Sequence, residues 1–220
     1  MNNLLRFKPN QKYLSWDFET CNLNLLASED PVNLPWQLGW QIYQGTRLLE
    51  SHEDWLLWED LESKMGKDAA ALTGFDSSTY RKRAVDPAPI FDKFSKLLYS
   101  EDVINVGANI VNFDTYIFNI LARKLGHKTN WDFTKRCLDI QILEKSKILN
   151  QKLPQIGTDE WFFNNMKLGM FHRRGMKTSL AYLCKMYGTE YNEFRHHKEA
   201  EYDCKLVMDV ITKQINQIDV

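Results

Sequence analysis

Apolar and polar positions alternate first in Tyr13 to Phe18, which reads as a strand rich in aromatics and ending in polar residues. Gln37 to Tyr43 predicts a second strand and Arg47 to Glu50 a third. The run Trp55-Leu56-Leu57-Trp58 either extends the sheet or packs over it, because so short an apolar run shows no period. From Pro89 to Tyr99 the period changes to that of a helix, with Ile90, Phe91, Phe94, Leu97 and Leu98 on one face. Val103 to Val106 is a short buried strand. Asp114 to Leu125 follows as a helix, with Gly126 where a C-terminal cap belongs. Cys137 to Ile148 reads as another helix. Ser179 to Tyr187 reads as a helix with Thr178 as N-cap and Gly188 past its end, and Ala200 to about Ile215 closes the chain. The stretch 150–176 has weak periodicity and reads as an insertion or loop. Strands come first and then alternate with helices, which predicts an α/β layer fold in one domain over 1–220.

Composition narrows the field. Of the 220 residues, 44% are hydrophobic and 13% aromatic, too much core material for a disordered chain. Lys and Arg number 28 against 29 Asp and Glu, a net charge of −1, which excludes a histone-like basic coat but not a local basic groove. The four cysteines, Cys21, Cys137, Cys184 and Cys204, contain no C-x-x-C pair, so neither a zinc ribbon nor a thioredoxin motif is present. No apolar run approaches the about 20 residues of a membrane span, and Met1 to Arg6 lacks a signal peptide's apolar stretch. These features place the protein in a reducing cytoplasm, away from membranes.

Three acidic features carry candidate chemistry. In Ser15-Trp16-Asp17-Phe18-Glu19-Thr20, strand alternation puts Asp17 and Glu19 on one face and Trp16 and Phe18 on the other. Two adjacent carboxylates repel each other unless they are solvated or share a divalent cation, so the pair is either a polar strand end facing water or a metal site. Asp114 follows a buried strand and opens a helix, where the helix dipole alone favours an acid. Asp203 lies in a helix whose apolar face includes Ala200, Val207 and Val210; it is either a hydrogen-bonded structural carboxylate or a functional one.

Taken together, the three resemble the DEDD exonuclease superfamily, the DnaQ-like members of the ribonuclease H-like fold. Asp17-x-Glu19-Thr20 is similar to the first motif of that family, Asn109-x-x-x-Phe113-Asp114 to the second, and the Ala-x-x-Asp-Cys core around Asp203 to the last. The form GANIVNFD looks most like the proofreading domain of B-family DNA polymerases. The resemblance runs from Tyr13 to about Ile215. It implies a mixed, roughly five-stranded central sheet flanked by helices, with the first three strands antiparallel and the later ones parallel to the first. It also implies that Asp17, Glu19, Asp114 and Asp203 hold two Mg²⁺ ions, with Mn²⁺ as a substitute, Asp17 bridging both. Thr20, Leu23 and Asn109 fall on substrate-contacting positions, Leu23 against the terminal base. The implied activity is 3′→5′ hydrolysis of single-stranded DNA to nucleoside 5′-monophosphates, DNA preferred over RNA, with a replication or repair protein as partner. A 3′→5′ exoribonuclease and a catalytically inactive nucleic-acid-binding or polymerase-accessory module are the alternatives.

The last motif departs from the family. The catalytic His of the His subtype stands five residues before the last Asp, and here that position is Lys198; the Tyr of the other subtype falls on Glu199. A one-residue bulge would bring His197 into place as general base, with His196 the second candidate. Cations for phosphates are Arg123, Lys124, Lys128, Lys135 and Arg136, and the group His172-Arg173-Arg174 with Lys177, which neighbours Trp161, Phe162, Phe163 and Phe171. Most of these cations read as a solvated face and most of the aromatics as core.

Overall fold

The computed structural model describes residues 5–25 and 33–218; Met1 to Leu4, the start of the stretch read for a signal peptide, lie outside the described residues. Its centre is a five-stranded sheet of order β3-β2-β1-β4-β5. Strands β1 (Lys12–Thr20), β2 (Pro35–Gln44) and β3 (Arg47–Trp55) form an antiparallel meander. Strands β4 (Val103–Gly107) and β5 (Cys137–Asp139) join parallel to β1. This is the mixed sheet the sequence predicts.

Alternation along β1 sorts its side chains. Trp16 and Phe18 pack at 5.8 Å, and Trp16 meets Phe94 and Phe118 in a buried aromatic cluster. Those rings come from α4 (Pro87–Tyr99) and α5 (Asp114–Lys124), which cover that face. The opposite face is covered by α9 (Ala200–Gln214), where Ser15 Oγ donates to the Cys204 carbonyl at 2.9 Å and Cys204 Sγ approaches the Gly39 carbonyl at 3.3 Å. Gly39 pairs directly with Asp17 across the β1–β2 ladder. A methyl group there would overlap the backbone of Ala200 and Glu201, so this glycine is what lets α9 lie against the sheet beside Asp17.

Several sequence expectations are corrected. Cys137 to Ile148 is not one helix: Cys137–Asp139 pair with β4, and α6 (Ile140–Ile148) starts only after Asp139 caps it through the Gln141 amide at 2.9 Å. A three-residue buried strand running straight into a helix has no period of its own. Helix α4 starts at Pro87, with Asp86 as N-cap, rather than at Pro89. Ser179, not Thr178, caps α8 (Leu180–Tyr187). Strand β3 runs to Trp55, beyond Glu50, and Leu56 bridges to Val85. Three short helices, α1 (Leu61–Lys64), α2 (Lys67–Thr73) and α3 (Ser77–Arg83), follow β3. The stretch 150–176 contains α7 (Asp159–Met170), whose Trp161 is fully buried with its Nε1 donating to the Cys137 carbonyl at 3.0 Å. All four cysteines are buried and free. Among the described residues, no helix is long and apolar enough to cross a membrane.

The contact at Gly39 gives a test of the packing. Gly39→Ala is expected to destabilise the protein by about 1–3 kcal/mol, the usual range for overpacking against a backbone that must shift. Urea unfolding of the two proteins measures this, and equal midpoints would show that α9 does not lean on that point.

Candidate active site

Strand alternation carries Asp17 and Glu19 to the C-terminal end of β1 on the face covered by α9. The parallel ladder between β1 and β4 ends at Ser15 and Val106, so the β1 edge beyond it is open. Asp114, the first residue of α5, fills that gap: the Phe18 amide donates to its Oδ1 at 3.0 Å. From the other side α9 brings Asp203, which is buried. Asp17, Glu19 and Asp203 each offer a carboxylate oxygen within 4.8 Å of the others. All four acids line one cavity of about 260 Å³, together with Thr20, Leu23, Asn109, His196 and His197. The candidate catalytic, metal and base-contacting residues therefore meet in one place, whereas none of the candidate phosphate cations lines it.

Glu19 does not face water, since it is only 5% exposed, while Asp17 is half-buried. Desolvation in the cleft raises the Asp17 carboxyl well above its ordinary range, and Asp114, Glu19 and Asp203 add repulsion. Glu19 is raised in the same way, by burial and then by Asp203, Asp114 and Glu53. Burial pushes Asp114 up to about 8, against the opposing Phe18 hydrogen bond. Glu19 Oε1 is buried with no hydrogen-bond partner. An orphaned carboxylate oxygen inside an all-oxygen donor cluster fits a hard divalent cation such as Mg²⁺ or Mn²⁺.

His197, the residue for which the spacing led to the expectation of a bulge, lies in a turn and has φ +61°. Its amide donates to Asp203 Oδ2 at 3.0 Å, and its ring remains part-exposed on the cavity. His196 is nearly buried and donates from Nδ1 to Asp203 Oδ1 at 2.8 Å. Burial and the neighbouring His196 lower the His197 imidazole below its ordinary value. Lys198 does not line the cavity, and its aliphatic stem packs over Gly74. Glu199 is held by Arg195.

The supporting residues have distinct jobs. Thr20 Oγ1 donates to the Asn22 carbonyl at 2.7 Å, which shapes the turn presenting Leu23. Leu23 is 49% exposed and faces the cavity with Leu72 of α2. Asn109 has φ +61° and starts the turn into α5. Sequence reasoning missed Asp139. It is buried at the end of β5 and accepts from the amides of Asn109 at 3.1 Å and Val111 at 3.3 Å while capping α6. It thereby ties the turn before Asp114 to the sheet. Its legible signal was an Asp at a strand end directly before an apolar helical run. Of the proposed cations, Lys135 pairs with Asp132 and Asp159, and Arg136 donates to the carbonyls of Tyr99 and Ser100, so both are structural.

No family model and no curated protein matches the sequence. Solved structures do match in shape. The chain is similar to a structure of exonuclease I bearing on its processivity (TM-score 0.68, 13% identity), covering 92% of this chain and 40% of that one. It is also similar to E. coli exonuclease I in complex with a dT13 oligonucleotide (TM-score 0.67, 14% identity, 93% and 41% covered) and with a dA16 oligonucleotide (TM-score 0.67, 14% identity, 93% and 41% covered). The fold is thus the ribonuclease H-like α/β fold of these exonucleases. The chain spans about 40% of the length of those proteins.

The raised carboxyls make a stability prediction. A group whose folded pKa is raised binds protons more tightly in the folded protein, so stability falls as pH rises from the unfolded value towards the folded one. For Asp114 that window runs from 3.8 to about 8. His197, shifted down from 6.5, acts oppositely but only below that value. In chelator, the melting temperature is expected to fall from pH 6.5 to 8, by up to about 1.4 kcal/mol of stability per pH unit for each carboxyl still protonated. Mn²⁺ should reverse the fall. Calorimetry in EDTA and in Mn²⁺ checks this; a flat metal-free profile would contradict a repulsive cluster.

Proposed function

We propose that the chain is a metal-dependent 3′→5′ exonuclease acting on single-stranded DNA and releasing nucleoside 5′-monophosphates. The observation that carries the reading is the meeting of four acids and two histidines in one cavity, with a Glu19 oxygen left unpartnered inside it. The similarity to exonuclease I structures holding dT13 and dA16 supports DNA as the polymer.

Asp17, Glu19, Asp114 and Asp203 would hold two divalent ions, Mg²⁺ or in its place Mn²⁺. When bound, such ions acidify a water, polarise the scissile phosphate and neutralise the leaving 3′ oxygen. The chain's own residues do the rest. Leu23 and Leu72 give the terminal base an apolar face, and the Asn109 turn sits beside the phosphate. His197 is the general base: its ring is open to the cavity and neutral near pH 7, so it can take a proton from water. His196 holds the Asp203 carboxylate in place. Lys198 is a poor candidate for the base, since it does not line the cavity and an ammonium has no lone pair to accept a proton.

The test is a 5′-labelled single strand, as DNA and as RNA, incubated with Mg²⁺ or Mn²⁺. A ladder shortening from the 3′ end on DNA is expected; shortening of RNA alone would make the enzyme an exoribonuclease. Asp17→Ala and Asp114→Asn should abolish the ladder with the fold intact by circular dichroism. If both stay silent on every substrate while the parent protein is also inert, the inactive binding-module reading stands. His197→Ala should lose at least about 100-fold in kcat, the scale of a general base. His196→Ala should lose less. The parent rate should fall at acid pH, once the pH drops through the lowered imidazole value, because the protonated ring cannot accept a proton. Equal losses from the two histidine variants, or a larger loss from Lys198→Ala, would reassign the base.

A further inference from the structure

The cavity has an electrostatic problem. It is lined by four acids and, among the described residues, by no Lys or Arg, whereas its proposed substrate is a polyanion. Two divalent ions would offset the four acids and hold the scissile phosphate, but the attraction for the rest of the strand must come from outside its walls. One segment beside it is built for that. From Trp161 to Thr189 the chain contains no Asp or Glu, but it contains Lys167, Arg173, Arg174, Lys177 and Lys185, in a protein of net charge −1.

Both ends of the exposed part of this segment are fixed to the site. At one end, Gly169 lies so close to Asn112, in the turn before Asp114, that a methyl group would overlap the Asn112 amide. Lys145 Nζ also donates to the Gly169 carbonyl at 2.7 Å. At the other end, Ser179 and Leu180 line the cavity itself. Between them, residues 170–175 are all exposed, and a turn closes where the Met176 amide donates to the Arg173 carbonyl at 3.0 Å. Arg173 and Arg174 make no ion pair or side-chain hydrogen bond among the described residues, unlike Lys135 and Arg136. Each is at most five residues from a fixed end, about 18 Å of chain at full extension, so they stay within a few nucleotides of the cavity. Exposed rings accompany the charges: Phe171 is 39% exposed, and Tyr182 is 38% exposed with the Lys177 ammonium 5.8 Å from its ring centre. Cations interleaved with exposed rings suit a single strand, whose phosphates need charge and whose bases need flat apolar faces.

We propose that residues 170–178, with Tyr182 beside them on α8, are the binding track for the single-stranded polynucleotide approaching the cavity, with Arg173 and Arg174 on its phosphates and Phe171 and Tyr182 against its bases. This rests on the exonuclease reading for its substrate but is tested separately from hydrolysis. The probe is 5′-fluorescein-labelled (dT)12 or (U)12, bound to the Asp17→Ala protein in Mg²⁺ and followed by anisotropy across NaCl concentrations. Arg173→Ala/Arg174→Ala should raise Kd about tenfold or more and flatten the log–log salt slope by about 1.4, at ~0.7 per lost phosphate contact. Phe171→Ala should raise Kd on both polymers with little change in slope. Arg47→Ala/Lys96→Ala, an equal charge change at the other end of the sheet, should change neither quantity.

An unchanged Kd and slope in the arginine variant would overturn the track. So would an equal loss in the Arg47/Lys96 control, or a loss confined to one of the two polymers. Hydrolysis by the parent protein with arginine-independent binding would defeat the track alone. Arginine-dependent binding without any hydrolysis would defeat the exonuclease reading and leave the track standing.

Discussion

Carboxylates crowded into a dry cleft repel each other, and much of this fold is organised around holding them there. Asp17, Glu19 and Asp203 place oxygens within 4.8 Å of one another, and Asp114 joins them on the cavity wall. Burial and mutual repulsion raise the carboxyls of Asp17, Glu19 and Asp114. A folded chain tolerates such a cluster only if the sites are held by contacts made elsewhere, or if cations neutralise them. The aromatic packing of Trp16, Phe18, Phe94 and Phe118 on the far face of β1 anchors the strand that carries two of the four acids. Gly39 admits the helix that carries the third, and the early end of the β1–β4 ladder leaves room for the fourth.

Around this cluster, neutral and weakly charged groups do the positioning. Asp203 is held through both oxygens, by the His196 ring and the His197 amide. Asp139, outside the cavity wall, fixes the turn from which Asp114 emerges. Arg173 and Arg174, without an ion pair among the described residues, stand outside the cavity on the segment after α7. That separation has a physical rationale: an ammonium or guanidinium inside the cavity would compete with metal ions for the same oxygens.

How far the sequence could be read follows from which signals are local. Asp17 and Glu19 were legible because strand alternation fixes their face, and Asp114 and Asp203 because each sits at a defined point of a helix. The departure at His197 was legible from spacing, since the imidazole stands one residue too far from Asp203; the structure gives that residue a left-handed conformation in a turn. Its partner His196 was not, because the bond to Asp203 is a tertiary contact. Strand β5 was missed because three buried residues leading into a helix share that helix's apolar pattern. Helix α7 was missed because its buried residues, Trp161, Asn165 and Leu168, are few and one is polar. Lys198, which occupied the expected place of the base, was shown only by the fold to lie over Gly74.

The central claim is that these acids are a cation site rather than a strained remnant of one. Counting bound Mn²⁺ by electron paramagnetic resonance tests it without requiring substrate or turnover. Two saturable ions per chain are expected, with at least one lost in Glu19→Gln and in Asp203→Asn. No saturable binding, or binding that both variants leave intact, would contradict it.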